Sequence, residues 1–295
     1  MRIACALCIG AAPEPYLAAA LAAIAPVVDV LVVNDNSGLE HGENLSTVEA
    51  SPFTPERRRV VQRPFVDFAT MRNDAFAPLL ELDPAPDWVL FLDADEIHGE
   101  QLASLASAVL PRLGADIGEL DAYTFHFWGT FGWITDVARR LVFYRFNREL
   151  RWTNAIHEKL VAIRGRAVVV PYVYHHYGNV LGPRALAEKH QRYFALGNAV
   201  PRPVDPEKAG LELFLARARE VRPYRAAHPA IVRPTLASLA TAERETFARL
   251  DAGFRARRTP ADQFRATAAA LNETLRVRLR ALERPGLYRG PTIAR

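Results

Sequence analysis

The stretch Trp88-Val-Leu-Phe-Leu-Asp-Ala-Asp-Glu96 decides how the rest of the chain is read. Five apolar residues in a row, bounded by an acidic turn, read as a short strand buried on both faces. Two carboxylates at i and i+2, Asp93 and Asp95, then stand at its carboxyl end. Neither can be hidden without a partner. One partner is a divalent cation, because hard oxygen ligands suit Mg²⁺ and Mn²⁺. The other reading is a solvated helix start, with Asp95 capping the helix that follows.

Upstream, the same texture repeats. Residues 2–9 form a first apolar strand, and Pro13 opens a helix to about Ile24. A second buried strand, Val27–Val33, stops at the turn cluster Asn34-Asp-Asn-Ser-Gly38. Residues 38–57 read as loop, Arg59–Arg63 as a third strand, and Asp67–Leu82 as a helix broken at Pro84-Ala-Pro86. A helix from about Gly99 to Leu113 follows the acidic turn. Uninterrupted apolar strands joined by helical crossovers argue for an α/β fold with a mostly parallel sheet covered on both faces. Ligands of such sheets sit at the carboxyl ends of the strands. Asp35 and the turn Asp93–Glu96 therefore belong to one crevice. From Asp121 to Val173 the chain turns β-rich, with Tyr123, Phe125, Phe127, Trp128, Phe131 and Trp133 serving either as core or as a platform for a ligand. Beyond Gly182 it reads as helical, over about 183–197, 206–220, 229–251 and 260–284.

Composition sets the outer limits. At 295 residues, 50% hydrophobic and 24% charged, the chain is an ordinary globular one. Wholesale disorder and a disulfide scaffold are thereby excluded. No apolar run is long enough for a transmembrane helix, and the amino-terminal apolar segment reads better as a strand than as a signal peptide. The expected location is cytoplasmic. Cys5 and Cys8 lack a second pair and read as buried strand residues rather than zinc ligands. The net charge is +4, with 37 basic against 33 acidic residues. The excess sits in residues 241–295, where Arg255, Arg257, Arg258, Arg265, Arg276, Arg278 and Arg280 recur in helical segments. No dense basic patch with interleaved aromatics indicates nucleic acid. A peripheral contact of the basic helices with the inner face of the membrane is the partner that this asymmetry allows, against a merely solvated arginine face.

Several further groups fall into place beside the acidic turn. Met71-Arg72-Asn73-Asp74 lies on the helix before the Asp93 strand, where Arg72 can face a nucleotide or pair with Asp93. Later come Arg140-Leu141, Ile156-His157-Glu158, Tyr174-His175-His176-Tyr177-Gly178 and Lys189…Arg192-Tyr193. In this order, the apolar first strand, the Asn34-Asp-Asn-Ser37 turn, the Arg72-Asn73 helix, the Asp93-Ala-Asp-Glu96 strand end and these later segments resemble glycosyltransferase family 2, the inverting enzymes of the GT-A fold, and a bacterial subset within it. The resemblance covers roughly residues 1–200. One departure is the segment after the first strand, where members carry Lys-Asn-Glu or similar and this chain has Gly10-Ala-Ala-Pro-Glu14, leaving Glu14 as the stand-in.

The resemblance implies a GT-A domain over 1–200, with a nucleotide-binding half at about 1–115 and an acceptor half at about 116–200, and a helical C-terminal extension over 201–295. It implies metal-dependent transfer from a nucleoside-diphosphate sugar, most simply a UDP-sugar, to a saccharide, lipid-linked, peptide or small-molecule acceptor. Asp35 would then contact the base or ribose and Arg72 the nucleotide side. Asp93 would face ribose and metal, and Asp95 would ligate Mn²⁺ or Mg²⁺. His176 is expected as a further metal contact, with His175 behind it, and Arg140 would hold the leaving phosphate. Glu158 is the first candidate for the base that takes the acceptor's proton, and Asp136 the second. A surface ion pair is the competing role for Glu158. Two other functions remain on the table: a catalytically silent nucleotide- or carbohydrate-binding protein, and a sugar nucleotidyltransferase, which the missing Gly-rich loop disfavours.

Overall fold

The computed structural model describes residues 1–38, 42–196 and 203–283. The first third alternates strand and helix: β1 (Ile3–Ile9), α1 (Leu17–Ile24), β2 (Val30–Asp35), α2 (Glu43–Glu49), β3 (Arg58–Gln62), α3 (Phe68–Phe76) and β4 (Trp88–Phe91). A two-residue strand β5 (Glu96–Ile97) and a short helix α4 (Gln101–Ser104) follow. Then come the long strands β6 (Ile117–Trp128) and β7 (Thr130–Arg145), a small hairpin β8 (Arg151–Thr153) and β9 (Lys159–Val161), and β10 (Arg166–His176). The remainder is α5 (Pro183–Ala195), α6 (Pro206–Ala216), β11 (Arg222–Pro223), α7 (Arg233–Ala242), α8 (Arg244–Arg257) and α9 (Pro260–Glu283).

The main sheet has the order β3-β2-β1-β4-β7-β6-β10-β5, with β11 added along β7. Strands β3, β2, β1, β4, β6 and β10 point one way, while β7 and β5 oppose them. The expected α/β class with a mostly parallel sheet and a helical C-terminal segment is what the chain adopts. Every residue of β2 is buried, as a strand covered on both faces requires. One face is filled by Leu7, Leu17, Leu21, Leu31, Val33 and Leu90 beneath α1, and the other by Val30, Val32, Ala69, Phe76 and Val89 beneath α3, extended by Trp152 of the β8–β9 hairpin. The C-terminal helices are built onto the second half of the sheet. Trp128 and Trp133 are buried with Phe214, Leu250 and Phe254, and Phe127 joins Tyr177, Val232 and Leu236. These aromatics are core rather than a ligand platform.

Local readings differ from the structure where tertiary contacts override pattern. The supposed loop 38–57 contains α2, because Asn44 is buried and ties down the segment after β1. The helix from Pro13 begins only at Leu17. The helix expected to Leu82 is α-helical to Phe76 and tightens into a 3₁₀ turn over Ala77–Glu81, with Pro78 at its start. The expected helix over 229–251 is two helices, broken at Glu243. Cys5 is buried, Cys8 half-buried, and both are free thiols.

Candidate functional site

Strand β1 lies between β2 and β4, with Ile9 opposite Asp35 and Ala6 opposite Phe91. The carboxyl ends of these strands thus bring the Asp35 turn and the Asp93–Glu96 turn to one edge of the sheet, as the sequence implied. Asp35 is 2% exposed. Its Oδ1 accepts from Ser37 N at 3.0 Å and Ser37 Oγ at 2.6 Å, and its Oδ2 from Gln62 Nε2 at 3.2 Å. It closes the turn at the end of β2.

The turn Asp93–Glu96 is locked by its last residue. Glu96 N donates to Asp93 O at 3.0 Å, and Glu96 Oε2 accepts from Asp93 N at 3.0 Å. Glu96 is fully buried, and Arg140 Nη1 on β7 reaches its Oε1 at 3.4 Å. The helix-cap reading of Asp95 does not hold, because the next helix begins only after Glu100 and β5 intervenes. Burial, and then the neighbouring Asp93, push the Glu96 carboxyl from 4.5 up to about 7. The native state therefore binds this proton at pH values where the unfolded chain has lost it. Stability from this group falls as pH rises between those two values. Glu96→Gln is expected to flatten that decline, read as urea midpoints across pH 4.5–7.

Asp93 and Asp95 diverge, because both lie in the turn between β4 and β5 rather than on a strand, where i and i+2 would share a face. Asp93 Oδ1 accepts from Arg72 Nη2 at 2.8 Å, and the same guanidinium donates through Nε to Glu158 Oε1 at 2.7 Å. Arg72 is 8% exposed and lies over the rings of Phe91 and Trp152, at 4.6 and 5.1 Å from their centroids. Burial works against its charge, but Asp93 and Glu158 more than offset that and raise its pKa. Asn73 beside it exchanges two hydrogen bonds with the backbone of Trp152, at 2.9 and 2.8 Å, and so fastens the β8–β9 hairpin to α3. The ion pair weighed for Arg72 is present, and so is an arginine partner for Glu158, in the interior rather than on the surface. Glu158 sits at the end of a tight loop in which Asn154 and His157 take left-handed φ values of 70° and 55°. Such backbone persists only where surroundings enforce it. Here Phe68 N donates to Ala155 O at 3.2 Å, and Tyr193 Oη lies 3.1 Å from His157 Nδ1.

Asp95 faces the other way, toward β10. Its Oδ1 is 3.3 Å from His176 Nε2, and that oxygen is buried without a hydrogen bond. Burial opposes its charge, yet His176 and Lys189 hold the carboxyl well below the usual range. The His176 pKa is raised in turn, with burial opposing and Asp95 prevailing. Tyr177 N donates to Asp95 O at 2.9 Å, and Lys189 Nζ to Gly178 O at 2.6 Å. Gly178 keeps the pocket open, since a Cβ there would stand 2.1 Å from Asp95 Oδ2 and 2.8 Å from His176 Nε2. An orphaned carboxylate oxygen, an imidazole nitrogen and a missing Cβ fit a divalent cation. Among the described residues no group of three or more His, Cys, Asp or Glu is arranged to hold a metal ion on its own. The protein would thus supply two ligands and leave the rest to phosphate oxygens and water, a common arrangement for Mg²⁺. Gly178→Ala is expected to remove metal uptake without altering any charge, measured by Mn²⁺ titration.

Two other expected residues stand apart. His175 points into the aromatic cluster, with Nε2 2.8 Å from Tyr224 Oη, and does not join Asp95. The Asp136 side chain lies outside the described residues. Its backbone is in β7, where the register against β6 slips between Phe125 and Phe127.

Sequence reasoning did not foresee the parts played by Glu96, Asn44 or His126, and gave Gly178 and Lys189 no role of their own. Asn44 Nδ2 donates to Gly10 O and Ala12 O at 2.7 and 2.8 Å, and its Oδ1 accepts from Glu14 N at 2.8 Å. This clamp holds Glu14 close enough to Asp95 that burial and that neighbour push its carboxyl up to about 8. A polar Asn facing an otherwise loop-like stretch was the one available signal.

No family model matches the sequence, and no curated protein matches it. Among solved structures, the chain is similar to the mannosyltransferase PcManGT from Pyrobaculum calidifontis in complex with GDP-Man and Mn²⁺, at 16% identity over 97% of this chain and 84% of that one, with a TM-score of 0.44. It is also similar to glucosyl-3-phosphoglycerate synthase from Mycobacterium tuberculosis bound to phosphoglyceric acid, at 20% identity, 42% of this chain, 44% of that chain and a TM-score of 0.31. The same synthase with Mn²⁺ and UDP-Glc gives 20% identity over 42% and 43% of the two chains, with a TM-score of 0.29. The matched region spans less than half the length of the synthase.

Proposed function

We propose that this protein is a metal-dependent glycosyltransferase of the GT-A type, inverting, with a nucleoside-diphosphate sugar as donor. The observation that carries this reading is the divergence of Asp93 and Asp95 at the end of β4. One is neutralised by Arg72, and the other holds a buried oxygen with no hydrogen bond beside His176. Mn²⁺ or Mg²⁺ at Asp95 and His176 would supply charge stabilisation for a departing diphosphate.

The chain's own groups complete the site. Asp35 and Arg72 line the nucleotide side, and Arg140, half-exposed and held by Glu96, presents its guanidinium to the phosphates. Glu158 takes the proton of the acceptor hydroxyl, with Arg72 aiming its carboxylate. Asp136 is the second candidate for that role. On this reading residues 1–115 bind the nucleotide, 116–200 receive the acceptor, and the helices after 201 buttress the second half of the sheet. The acceptor is a saccharide, a lipid-linked sugar, a peptide or a small molecule. Exposed Phe264, Leu271 and Leu275 on α9, with exposed Arg255, Arg257 and Arg265 nearby, support peripheral contact with an anionic membrane. No helix among the described residues is long and apolar enough to cross one.

A silent binding protein is the second reading, favoured by the engagement of Glu158 with Arg72. Incubation with a panel of UDP-, GDP-, CMP- and dTDP-sugars separates the two. Release of the nucleotide from one donor, lost on chelation, supports the transferase. Metal-dependent nucleotide binding with no turnover of any donor supports the silent protein.

A further inference from the structure

His126 lies on β6 directly opposite His176 of β10 in the parallel register. Their Nδ1 atoms are 2.9 Å apart, and the rings meet edge to face at 4.8 Å. Two Nδ1 atoms at that separation cannot both carry protons, nor both present lone pairs. One must donate and the other accept. His176 turns its Nε2 toward Asp95, so Nε2 is the nitrogen available to a cation there. A neutral imidazole that ligates through Nε2 carries its proton on Nδ1. His126 is then the acceptor at Nδ1, with its own proton on Nε2.

We infer that His126 is a positioning residue for the metal site: it accepts a hydrogen bond from His176 Nδ1 and thereby fixes the tautomer and ring plane in which His176 Nε2 faces the cation. This rests on the metal reading of Asp95 and His176. Partners of this kind hold metal-bound imidazoles in many sites, and their loss costs about 10–100-fold in metal affinity. The β6–β10 pairing explains why the partner comes from a residue 50 positions away.

The test is Mn²⁺ affinity in the presence of UDP or GDP, for wild type, His126→Leu and His126→Asn. Leucine removes the acceptor, and asparagine can return an amide oxygen near the place of Nδ1. The expected result is a loss of about 10-fold or more in the leucine variant and recovery to within about threefold in the asparagine variant. Pulsed EPR of bound Mn²⁺ should show one coordinated imidazole nitrogen in wild type. In the Mg²⁺-loaded wild type, ¹⁵N shifts should report His176 protonated at Nδ1, a readout that needs no variant to fold. Unchanged affinity in His126→Leu, or two coordinated imidazoles, would overturn the inference while leaving the metal site standing, whereas a His176 proton on Nε2 would overturn it and take His176 out of the ligand set. Absence of Mn²⁺ uptake by the wild type would instead remove the metal reading itself.

Discussion

Arg72→Ala is expected to cost about 3 kcal/mol or more of unfolding free energy and to abolish any turnover. The guanidinium is the shared partner of Asp93 and Glu158, at 2.8 and 2.7 Å, and the three side chains are 9%, 29% and 17% exposed. Removing one member of a buried ion pair leaves its partners uncompensated, at a cost of about 3–5 kcal/mol. Here two carboxylates are left facing one another, and the stacking on Phe91 and Trp152 is lost as well. Partial exposure of Asp93 puts the expectation at the lower end. Arg72→Lys should recover only part of the loss, because one ammonium cannot span two carboxylates as a planar fork does. Chemical denaturation measures both. A loss under about 1 kcal/mol for the alanine variant, the range of exposed ion pairs, would show that the three groups are solvated and independent.

Glu158→Gln is expected to separate binding from turnover. The amide keeps the shape and still accepts from Arg72 Nε. Arg72 and Asp93 remain as a balanced pair, so stability should stay within about 1 kcal/mol of wild type. A positioned general base contributes about 10²–10⁴-fold. Turnover should fall by that factor, with nucleotide affinity unchanged. Undiminished turnover would pass the role to Asp136 or to another group. Weakened nucleotide binding would mean that Glu158 serves only to hold Arg72.

Much of this was legible in the sequence because it is local. Apolar runs ending in acidic turns gave the strands and their carboxyl-end residues, and covering helices gave the parallel order. Arg72 could be connected to Asp93 since it lies on the helix that leads into the strand that Asp93 follows. What was hidden depends on register. Residues 72 and 158 meet only because Asn73 fastens the β8–β9 hairpin to α3. His126 faces His176 only through the pairing of β6 with β10. Gly178 has meaning only once Asp95 and His176 surround it. Glu96 looked like a third acid of the turn, and its role as the clamp on Asp93 N follows from a backbone geometry that no periodicity encodes. Helix α2 was missed because its seven residues carry a weak apolar pattern and its main task is to present Asn44.

On the proposed reading, Asp95 and its neighbours bind a nucleotide through a divalent cation. Calorimetric titration with UDP and with GDP, each with and without Mn²⁺, on wild type and Asp95→Ala, tests it most directly. The expected result is tight binding of one nucleotide that requires the metal and disappears in the variant. Binding that is indifferent to Mn²⁺, or that survives in Asp95→Ala, would contradict it.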